Sequence, residues 1–473
     1  MRNMRKNWKK VFVMAFVLAF IVVLPTTVKG SQINEIENRA PVVIVINSNS
    51  ELSSSIYVSG GNGTQSDPYI IENYNIDANG GGRAIYIGNT TKWVLIKNVH
   101  VYNASFVSFP YFPGAGIALF NTKNVIVEHS NITSSDRGVY IGNGRWNVVR
   151  FNSITNSSKY GVDLHSLSSS NTIWKNNISY NAGGVFLYSS SNNDIKNNEF
   201  YKNGLNHAVY VFYNSYVNVI EHNKIMYTHE SGILLSGSSS TNPDGTKITQ
   251  NEIYNNTVGI EINQVNNAYV SNNTIYNNTN YGVYLYVRAS NVTVEYNHIF
   301  KNLKSAIYSI SSSSYTMRDI SINNNNISYN GNGIYFYRNT IYSVIHHNVI
   351  YNNTGYGISL SGSDVKYNRV YNNSFYYNHG STHTVNSSHI QAFDSGTNNY
   401  WNETGRGNHW YDWTTPDNNE PYGIVDQPYK IDGSAGSADY YPLTESSTVP
   451  EFSSMWVLIV LIVLITSIFY KKK

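Results

Sequence analysis

The chain has 473 residues, contains no cysteine and is only 13% charged, while 41% of its residues are hydrophobic. The absence of cysteine excludes disulfide bonds and thiolate metal sites, and the length is sufficient to bury a large core. Nine of the 32 basic residues lie in residues 1–30 or 471–473, whereas all 29 acidic residues lie between these ends. The central part therefore carries a net charge of −6, from 23 basic and 29 acidic residues, which argues against a nucleic-acid partner.

Residues 1–30 have the pattern of a secretory signal peptide. Basic residues up to Lys10 precede an apolar run over 11–24, which is too short for an ordinary membrane span. Val28 and Gly30 are small enough to precede a cleavage site at Ser31. We expect export and cleavage there; an uncleaved anchor is the alternative.

The centre of the chain contains a repeat of about 23 residues. One marker is a small residue followed by alternating apolar residues, and it begins at Gly116, Gly138, Gly161, Gly184, Ala208, Gly232, Gly259, Gly282, Ala306, Gly333 and Gly357. A second marker, an asparagine between apolar residues, keeps step with the first at Asn152, Asn176, Asn198, Asn223, Asn251, Asn273, Asn297, Asn325, Asn348 and Asn368. Two markers in phase indicate stacked structural units.

Each unit predicts three short strands, because its apolar residues alternate between Gly, Asn or Ser turns. A unit this short cannot bury its apolar face alone, so successive units must stack. Pro243 is the only proline between Gly114 and Thr415, as continuous strand ladders require. We therefore predict an all-β, right-handed, single-stranded parallel β-helix of about thirteen coils over 81–394. A propeller is disfavoured because its units run nearer to about forty residues.

The flanking segments complete the predicted organisation. Open sheet edges must be covered, so we expect an N-terminal cap with the first strands in 31–80 and a C-terminal cap in 395–445. A linker follows in 446–454, and the apolar segment 455–473 with its basic tip predicts a transmembrane helix whose lysines stay cytoplasmic. The repeats would then lie outside the cell, where fifteen Asn-x-Ser/Thr sequons become candidate glycosylation sites.

Two flanking motifs, taken with the repeats, carry a family resemblance. Gly61, Gly63 and Thr64 precede a stretch over 67–72, and 407–443 contains a second run rich in Gly, Asn, Trp, Asp and Pro. The chain resembles the NosD-like β-helix proteins of archaeal cell surfaces, which share the carbohydrate-binding and sugar-hydrolase (CASH) repeat domain. The resemblance implies the fold, but it implies no single chemistry because this fold hosts lyases, hydrolases, epimerases and adhesins alike.

Pro450, Glu451 and Phe452 resemble the Pro-Glu-Phe sorting motif of archaeal surface proteins. The resemblance implies that an archaeosortase-type enzyme cuts the chain there and replaces the helix with another anchor. A plain membrane tail is the alternative. Either form predicts a protein held at the outer face of the cell membrane.

Outward strand positions supply few carboxylates for glycan chemistry. Asp163 and Glu261 are the only ones in the first outward column of the repeat. Four coils, or about 19 Å, separate them, so they cannot act on one glycosidic bond. Asp163 and His165 share one face of a strand and could form a small acid/base site; a surface Asp–His hydrogen bond is the alternative.

The candidates for metal binding are histidines. Four histidines near the last coil could bind a metal ion: His379, His383, His389 and His409. The NosD-like resemblance implies a test for copper, but soft copper sites use Cys and Met, and the exterior region holds only Met226 and Met317. Scattered loop histidines are the alternative. The segment 412–426 is oxygen-rich, as in a structural Ca²⁺ site, but lacks the spacing of a calcium motif.

Aromatic side chains recur at outward positions of one predicted sheet: Tyr188, Tyr210, Phe212, Tyr284, Tyr286, Tyr335 and Tyr337. Exposed aromatic patches usually mark binding surfaces, whereas the alternative is rings that stabilise the sheet by packing on each other. The leading hypothesis is a non-catalytic surface protein that binds a polysaccharide or other envelope components. The alternatives are a polysaccharide-active enzyme (lyase, hydrolase or epimerase) and a copper-handling accessory protein.

Overall fold

The computed structural model describes residues 43–106, 114–238 and 241–446. The described residues belong to one compact unit. The predicted signal peptide, sorting motif and C-terminal membrane segment lie outside the described residues and stay predictions. In the described ranges, no helix combines the length and apolar character needed to cross a membrane.

Three strands per coil build three parallel sheets from the described residues. Sheet 1 has 14 strands: Ile44–Ile46, Arg83–Thr90, Ala115–Thr122, Arg137–Gly142, Tyr160–His165, Gly183–Tyr188, Val209–Phe212, Ser231–Ser236, Val258–Asn263, Tyr281–Tyr286, Ser305–Ile310, Asn332–Tyr337, Ile358–Ser361 and Ala392–Asp394. Sheet 2 has 13: Tyr69–Glu72, Val94–Lys97, Val125–Glu128, Val148–Arg150, Thr172–Trp174, Asp194–Lys196, Val219–Glu221, Lys247–Thr249, Tyr269–Ser271, Thr293–Glu295, Ser321–Asn323, Val344–His346 and Arg369–Tyr371.

Sheet 3 has 14 described strands: Asn75–Asp77, His100–Tyr102, Asn131–Thr133, Ser153–Thr155, Asn177–Ser179, Glu199–Tyr201, Lys224–Met226, Glu252–Tyr254, Thr274–Tyr276, His298–Phe300, Asn326–Ser328, Val349–Tyr351, Ser374–Tyr376 and His409–Trp410. Two small pairs accompany the sheets: Met317–Arg318 with Thr340–Ile341 in parallel, and Tyr429–Lys430 with Ala438–Asp439 in antiparallel. Each strand pairs with its counterpart one coil away, so the predicted parallel β-helix is confirmed.

Inward side chains of successive coils stack into one continuous core. Val139 pairs with Val162, and both are fully buried. Gly161 faces the core as well, because a Cβ atom there would lie 2.7 Å from the Ile178 side chain. Gly161 and Val162 are two successive inward residues, so the alternation is interrupted and Tyr160 points outward. The third outward position of a sheet 1 strand is therefore taken by the residue before the marker, and not by the marker glycine that strict alternation would place there.

Buried asparagines form ladders in the turns. Asn198 Nδ2 donates to Asn223 Oδ1 at 3.1 Å and to the Ile173 carbonyl of the preceding coil at 2.8 Å. Such ladders satisfy buried turn groups that the strands cannot reach. The predicted marker was wrong at Asn368, which precedes a sheet 2 strand and donates to Asn399 Oδ1. Asn373 continues the ladder there, because Asn348 Nδ2 donates to its Oδ1 at 2.9 Å.

Both ends of the described solenoid are covered. The short helix Asn49–Ser54 begins after Ser48, whose hydroxyl accepts a hydrogen bond from the Glu51 N–H, and Leu52 is fully buried. A single 3₁₀ turn, Asn378–Gly380, lies near the last coils. Beyond them, Trp401, Trp410 and Tyr429 are almost completely buried. These large rings close the apolar end that the last coil would otherwise expose.

Candidate functional site

The outward residues of sheet 1 from Arg137 to Tyr337 form a continuous surface, here called the sheet 1 face. Strand pairing places its first column as predicted: Tyr140, Asp163, Phe186, Tyr210, Leu234, Glu261, Tyr284, Tyr308 and Tyr335. The second column contains His165, Tyr188, Phe212, Ser236, Asn263, Tyr286, Ile310 and Tyr337. The third column, created by the interrupted alternation, contains Arg137, Tyr160, Ser231, Val258, Tyr281, Ser305 and Asn332.

Four half-buried rings form the N-terminal aromatic cluster: Phe186, Tyr188, Tyr210 and Phe212. Phe186 lies 5.1 Å from Tyr210 and Tyr188 lies 5.9 Å from Phe212 between ring centroids. Each ring also contacts the neighbour on its own strand, at 6.3 Å and 5.5 Å. The rings therefore make a contiguous two-by-two platform in which every ring keeps part of its surface accessible.

A second group, the C-terminal aromatic cluster, contains Tyr284, Tyr286, Tyr308, Tyr335 and Tyr337. Tyr284 lies 5.7 Å from Tyr308, and Tyr308 lies 5.3 Å from Tyr335. A groove of about 500 Å³ runs beside them, with Tyr281 and Lys304 in its wall. Burial raises the pKa of Tyr284 and of Tyr308, so both hydroxyls stay protonated at neutral pH and can donate hydrogen bonds.

Asp163 is the centre of a polar cluster, here called the Asp163 site. Its side chain is completely buried, and Oδ2 accepts a hydrogen bond from Arg137 Nε one coil earlier. His165 Nδ1 lies 3.5 Å from the other oxygen, Oδ1. Neither Asp163 Oδ1 nor His165 Nδ1 has a hydrogen-bond partner among the described residues. Asp163 is thus a buried carboxylate with an ion-pair partner, not one half of a surface Asp–His hydrogen bond.

Two phenols adjoin the Asp163 site. Burial, reinforced by the negative charge of Asp163, raises the pKa of Tyr140 and of Tyr160 to about 12, although Arg137 opposes the shift. Both hydroxyls are therefore protonated at neutral pH and can donate hydrogen bonds. Tyr160 stacks on Phe186 at 4.6 Å and His165 stacks on Tyr188 at 4.6 Å, which joins the polar cluster to the N-terminal aromatic cluster.

A second polar cluster lies on the opposite side of that platform. Ser231 Oγ donates to Glu261 Oε2 at 2.7 Å, and the Ser231 N–H donates to His207 Nδ1 at 3.2 Å. Burial raises the pKa of Glu261 and lowers the pKa of His207 to about 4. The His207 ring contacts Tyr210 edge-on at 5.2 Å. Polar groups therefore flank the N-terminal aromatic cluster at both ends.

Of the four predicted metal ligands, the structure brings together His379 and His389, whose ring centroids lie 6.0 Å apart, but not all four. His379 Nδ1 lies 3.1 Å from the Ile390 carbonyl, and His389 Nδ1 lies 2.9 Å from the His379 carbonyl. His383 packs against Tyr411, and His409 lies in sheet 3. Throughout the described ranges, no group of three or more His, Cys, Asp or Glu side chains could hold a metal ion. The copper hypothesis therefore finds no ligand set there.

The oxygen-rich segment uses its carboxylates internally. Asp417 Oδ2 accepts a hydrogen bond from the Gly423 N–H at 2.7 Å, and Asp426 Oδ2 accepts one from the Asn418 N–H at 2.9 Å. Asp412 accepts from Gln391 Nε2 at 2.7 Å within the buried end of the solenoid. Asp417 Oδ1 is buried without a hydrogen-bond partner among the described residues, but no group of three or more acidic or histidine side chains gathers around it there.

Three parallel sheets, stacked asparagines and a mixed aromatic and polar outer face define a solenoid of the parallel β-helix class. The family model described as "Right handed beta helix region" matches residues 83–245 and 207–375. This match spans more than half of the chain, which therefore belongs to the right-handed β-helix family.

A solved structure with a TM-score above 0.5 agrees with this fold. The A-module of mannuronan C-5 epimerase AlgE6 from Azotobacter vinelandii is 14% identical with a TM-score of 0.52, over 78% of this chain and 97% of that one. PfbA, a surface adhesin of Streptococcus pneumoniae, is 13% identical with a TM-score of 0.43, over 53% of this chain and 77% of that one. No curated protein sequence matches the chain significantly. At these identities, the likeness to the AlgE6 module establishes the fold alone.

Proposed function

We propose that the sheet 1 face binds a linear carbohydrate polymer that runs along the stack of coils. The observation that carries this proposal is the N-terminal aromatic cluster, four half-buried rings flanked at both ends by polar side chains. The flat apolar surface of a ring packs against the C–H groups of a sugar, while nearby donors and acceptors pair with its hydroxyls. Coils repeat about every 4.8 Å, so equivalent contacts recur along an extended polymer.

The outward face of sheet 2 helps to separate binding from simple stabilisation of the sheet. There, neighbouring coils pair charges: Glu72 with Lys97 at 3.2 Å and Glu128 with Arg150 at 2.6 Å. A solvated parallel sheet of this solenoid is therefore stable without a continuous ring platform. The rings of sheet 1 expose apolar surface that the fold does not require, which is typical of a binding surface.

The predicted export signal and C-terminal anchor point to polymers of the cell envelope as the ligand. A surface protein of the NosD-like type, with or without tail processing, would present the sheet 1 face to these glycans. This placement is part of the proposal. The epimerase and adhesin names among the structural neighbours are compatible with it but describe those proteins.

The test is binding of the full chain to a panel of neutral and acidic polysaccharides. The double variant Tyr188→Ala/Phe212→Ala should weaken binding about tenfold or more, because it removes two of the four platform rings. Tyr329→Ala is the matched control, since Tyr329 is exposed in the turn after sheet 3. Unchanged binding in the double variant, or an equal loss in the control, would show that the platform is not the binding site.

A second candidate function is supported by the Asp163 site. Asp163 Oδ1 and His165 Nδ1 are buried beside one another without hydrogen-bond partners in the described structure, and two protonated phenols adjoin them. This arrangement places a buried carboxylate, an imidazole and hydrogen-bond donors at one end of the proposed binding platform. It would suit a polysaccharide-active enzyme.

A measurement of catalytic turnover distinguishes a polysaccharide-active enzyme from a protein that only binds the polymer. Polysaccharides incubated with the chain are examined for new reducing ends, unsaturated ends or altered sugar configuration. An enzyme acting at this site should lose that activity in Asp163→Asn and in His165→Gln while the platform still binds polymer. Product formation that survives both substitutions would exclude the Asp163 site as the source.

A further inference from the structure

Asparagines in the described structure fall into two classes, and the fifteen sequons belong to only one of them. The ladder asparagines are buried, whereas every asparagine that begins a sequon is exposed or partly exposed. The repeat explains part of this separation. Some ladder asparagines directly precede a strand of sheet 2 or sheet 3. Two positions after each of them lies an inward core residue, as Ile195 is after Asn193 and Ile275 is after Asn273. A serine or threonine at that place would disrupt the core.

Ten of the fifteen sequon asparagines lie on sheet 3 or in the two turns beside it. Three occupy outward positions of sheet 3 strands: Asn131, Asn177 and Asn326. Five follow a sheet 3 strand at a turn position with positive φ: Asn103, Asn156, Asn255, Asn277 and Asn352. Two hold the equivalent position before a sheet 3 strand: Asn272 and Asn372.

The other two sheets differ sharply from sheet 3. Sheet 2 strands contain no sequon asparagine, and among described sheet 1 strands only Arg83–Thr90 contains one, Asn89 near its end. The sheet 1 face from Arg137 to Tyr337 therefore has none. The remaining four lie outside the sheets: Asn62, Asn291, Asn386 and Asn402.

Sheet 3 also carries an aromatic stack next to these positions. Tyr254 lies 4.8 Å from Tyr276, which lies 4.9 Å from Phe300, with nearly parallel rings. Asn255 and Asn277 directly follow the first two of these tyrosines. A sugar attached to either asparagine can reach the adjacent ring, and this contact would cover apolar surface that sheet 3 otherwise exposes.

We infer that N-linked glycans are attached to sheet 3 and its two flanking turns, and that the sheet 1 face stays uncovered. In the linking step, the asparagine Nδ2 bonds to the anomeric carbon of a glycan donor activated by a phosphate leaving group. The bond from that carbon to the phosphate oxygen breaks, and the nitrogen loses one proton. An external transferase carries out this step on the exported chain. The inference therefore rests on export, and it does not depend on what the sheet 1 face binds.

Glycopeptide mass spectrometry of the full chain, purified from the organism that makes it, tests this placement. We expect most occupied sites to belong to the ten positions on and beside sheet 3. A chain without N-glycans would overturn the inference, as would occupancy mainly at the other five sequons. Polysaccharide binding after enzymatic removal of the glycans is a separate readout, and its loss or retention tests the proposed function instead.

Asn277 offers a matched set of variants. Thr279→Val removes the sequon without altering the asparagine and should abolish the glycan at Asn277, whereas Thr279→Ser should retain it. Asn278→Gln alters the adjacent buried ladder residue, whose Nδ2 donates to Asn302 Oδ1 at 2.8 Å, and should leave the sequon intact. Unmodified Asn277 in the wild-type and Thr279→Ser chains would count against glycosylation at this turn.

Discussion

The asparagine ladders and the Asp163 site both bury polar atoms, but they satisfy them in different ways. In the ladders, each amide repeats the pattern of its neighbours: Asn198 accepts from the N–H and Nδ2 of Asn176 at 3.0 Å and donates onward to Asn223. The Asp163 site occurs once. Its Oδ1 atom and His165 Nδ1 lack hydrogen-bond partners among the described residues, although Oδ2 pairs with Arg137.

This difference distinguishes polar groups that stabilise the stacking of coils from polar groups on the outward face that stacking does not need. A buried polar group that is fully hydrogen-bonded stabilises a fold, whereas an unsatisfied one costs free energy. The ladders recur because stacking requires them at each turn. The repeat does not require a single, incompletely satisfied cluster on the outward face, so its retention is better explained by binding or chemistry.

The largest expected effect comes from removing the ion-pair partner of Asp163. Arg137→Met leaves a completely buried carboxylate without its cation, and breaking a buried pair in this way costs about 3–5 kcal/mol. Hydrogen exchange of the amides in Arg137–Gly142 and Tyr160–His165 should show a loss of that size in local opening free energy. A local readout is needed because long repeat arrays do not unfold in two states.

The double variant Arg137→Met/Asp163→Leu is the control for this prediction. Removing both charges eliminates the unpaired carboxylate, so most of the lost opening free energy should return. The same variant should lose any turnover that depends on Asp163. If the double variant opened as easily as the single one, the Asp163 site would be a packing element of the core, and the contrast with the ladders would fail.

A somewhat smaller effect is expected in a ladder. Asn198→Ala removes the acceptor of the Asn176 backbone N–H and one of the three acceptors of Asn176 Nδ2. It also removes the side-chain donor to the Ile173 carbonyl in this buried turn. Orphaned buried groups cost about 1–3 kcal/mol each, and partial relaxation of the turn should limit the total to about 2–4 kcal/mol. The same hydrogen-exchange measurement on the coils either side of Asn198 checks this value.

Asn197 supplies the matched control beside it. Its φ is 56°, a conformation that glycine adopts without strain, so Asn197→Gly should change the opening free energy by only a few tenths of a kcal/mol. Comparable losses in Asn197→Gly and Asn198→Ala would mean that the turn backbone, and not the ladder amide, holds the coils together.

The repeating parts of this molecule could be predicted from sequence. Apolar alternation and the asparagine marker gave the parallel β-helix and the first outward column, including Asp163, Phe186 and Tyr210, because every coil repeats the same steric demands. The error at Asn368 arose because asparagines before sheet 2 and before sheet 3 have the same local pattern. Only strand pairing distinguishes the two ladders.

The polar parts of the candidate site were harder to predict. Arg137, His207 and Ser231 directly precede the small-residue markers, where strict alternation places them inward. Two successive inward residues in sheet 1 turn this position outward, and that irregularity depends on close contact between coils. A Cβ atom at Gly161 would lie 3.1 Å from the Gly184 carbonyl oxygen of the next coil. The small-residue marker was the available signal for this irregularity. A small residue that recurs at one strand position indicates close approach to a neighbouring coil, and therefore an inward direction.

The smallest effect that we predict concerns pH, and it again separates the outward clusters from the ladders, whose amides do not titrate. Burial lowers the pKa of His207 from its ordinary value of 6.5 to about 4, so the folded chain holds this ring neutral. Stability from His207 should be complete above pH 6.5 and should decline as the pH falls towards 4, because the unfolded chain binds the proton first. The loss should be on the order of 2 kcal/mol.

His207→Asn should flatten part of this acid dependence, because the amide oxygen can still accept the Ser231 N–H while carrying no titratable group. His346 on sheet 2 has its pKa lowered to about 4 as well, by burial and by the neighbouring His347, and should account for a further part. Hydrogen exchange of the amides in Ser231–Ser236 and Val344–His346, compared between pH 7 and 4 in the wild type, His207→Asn and His207→Asn/His346→Asn, measures both contributions. Identical pH profiles in all three chains would mean that neither ring is held neutral by the fold, and the acid response would then have to arise from the carboxylates.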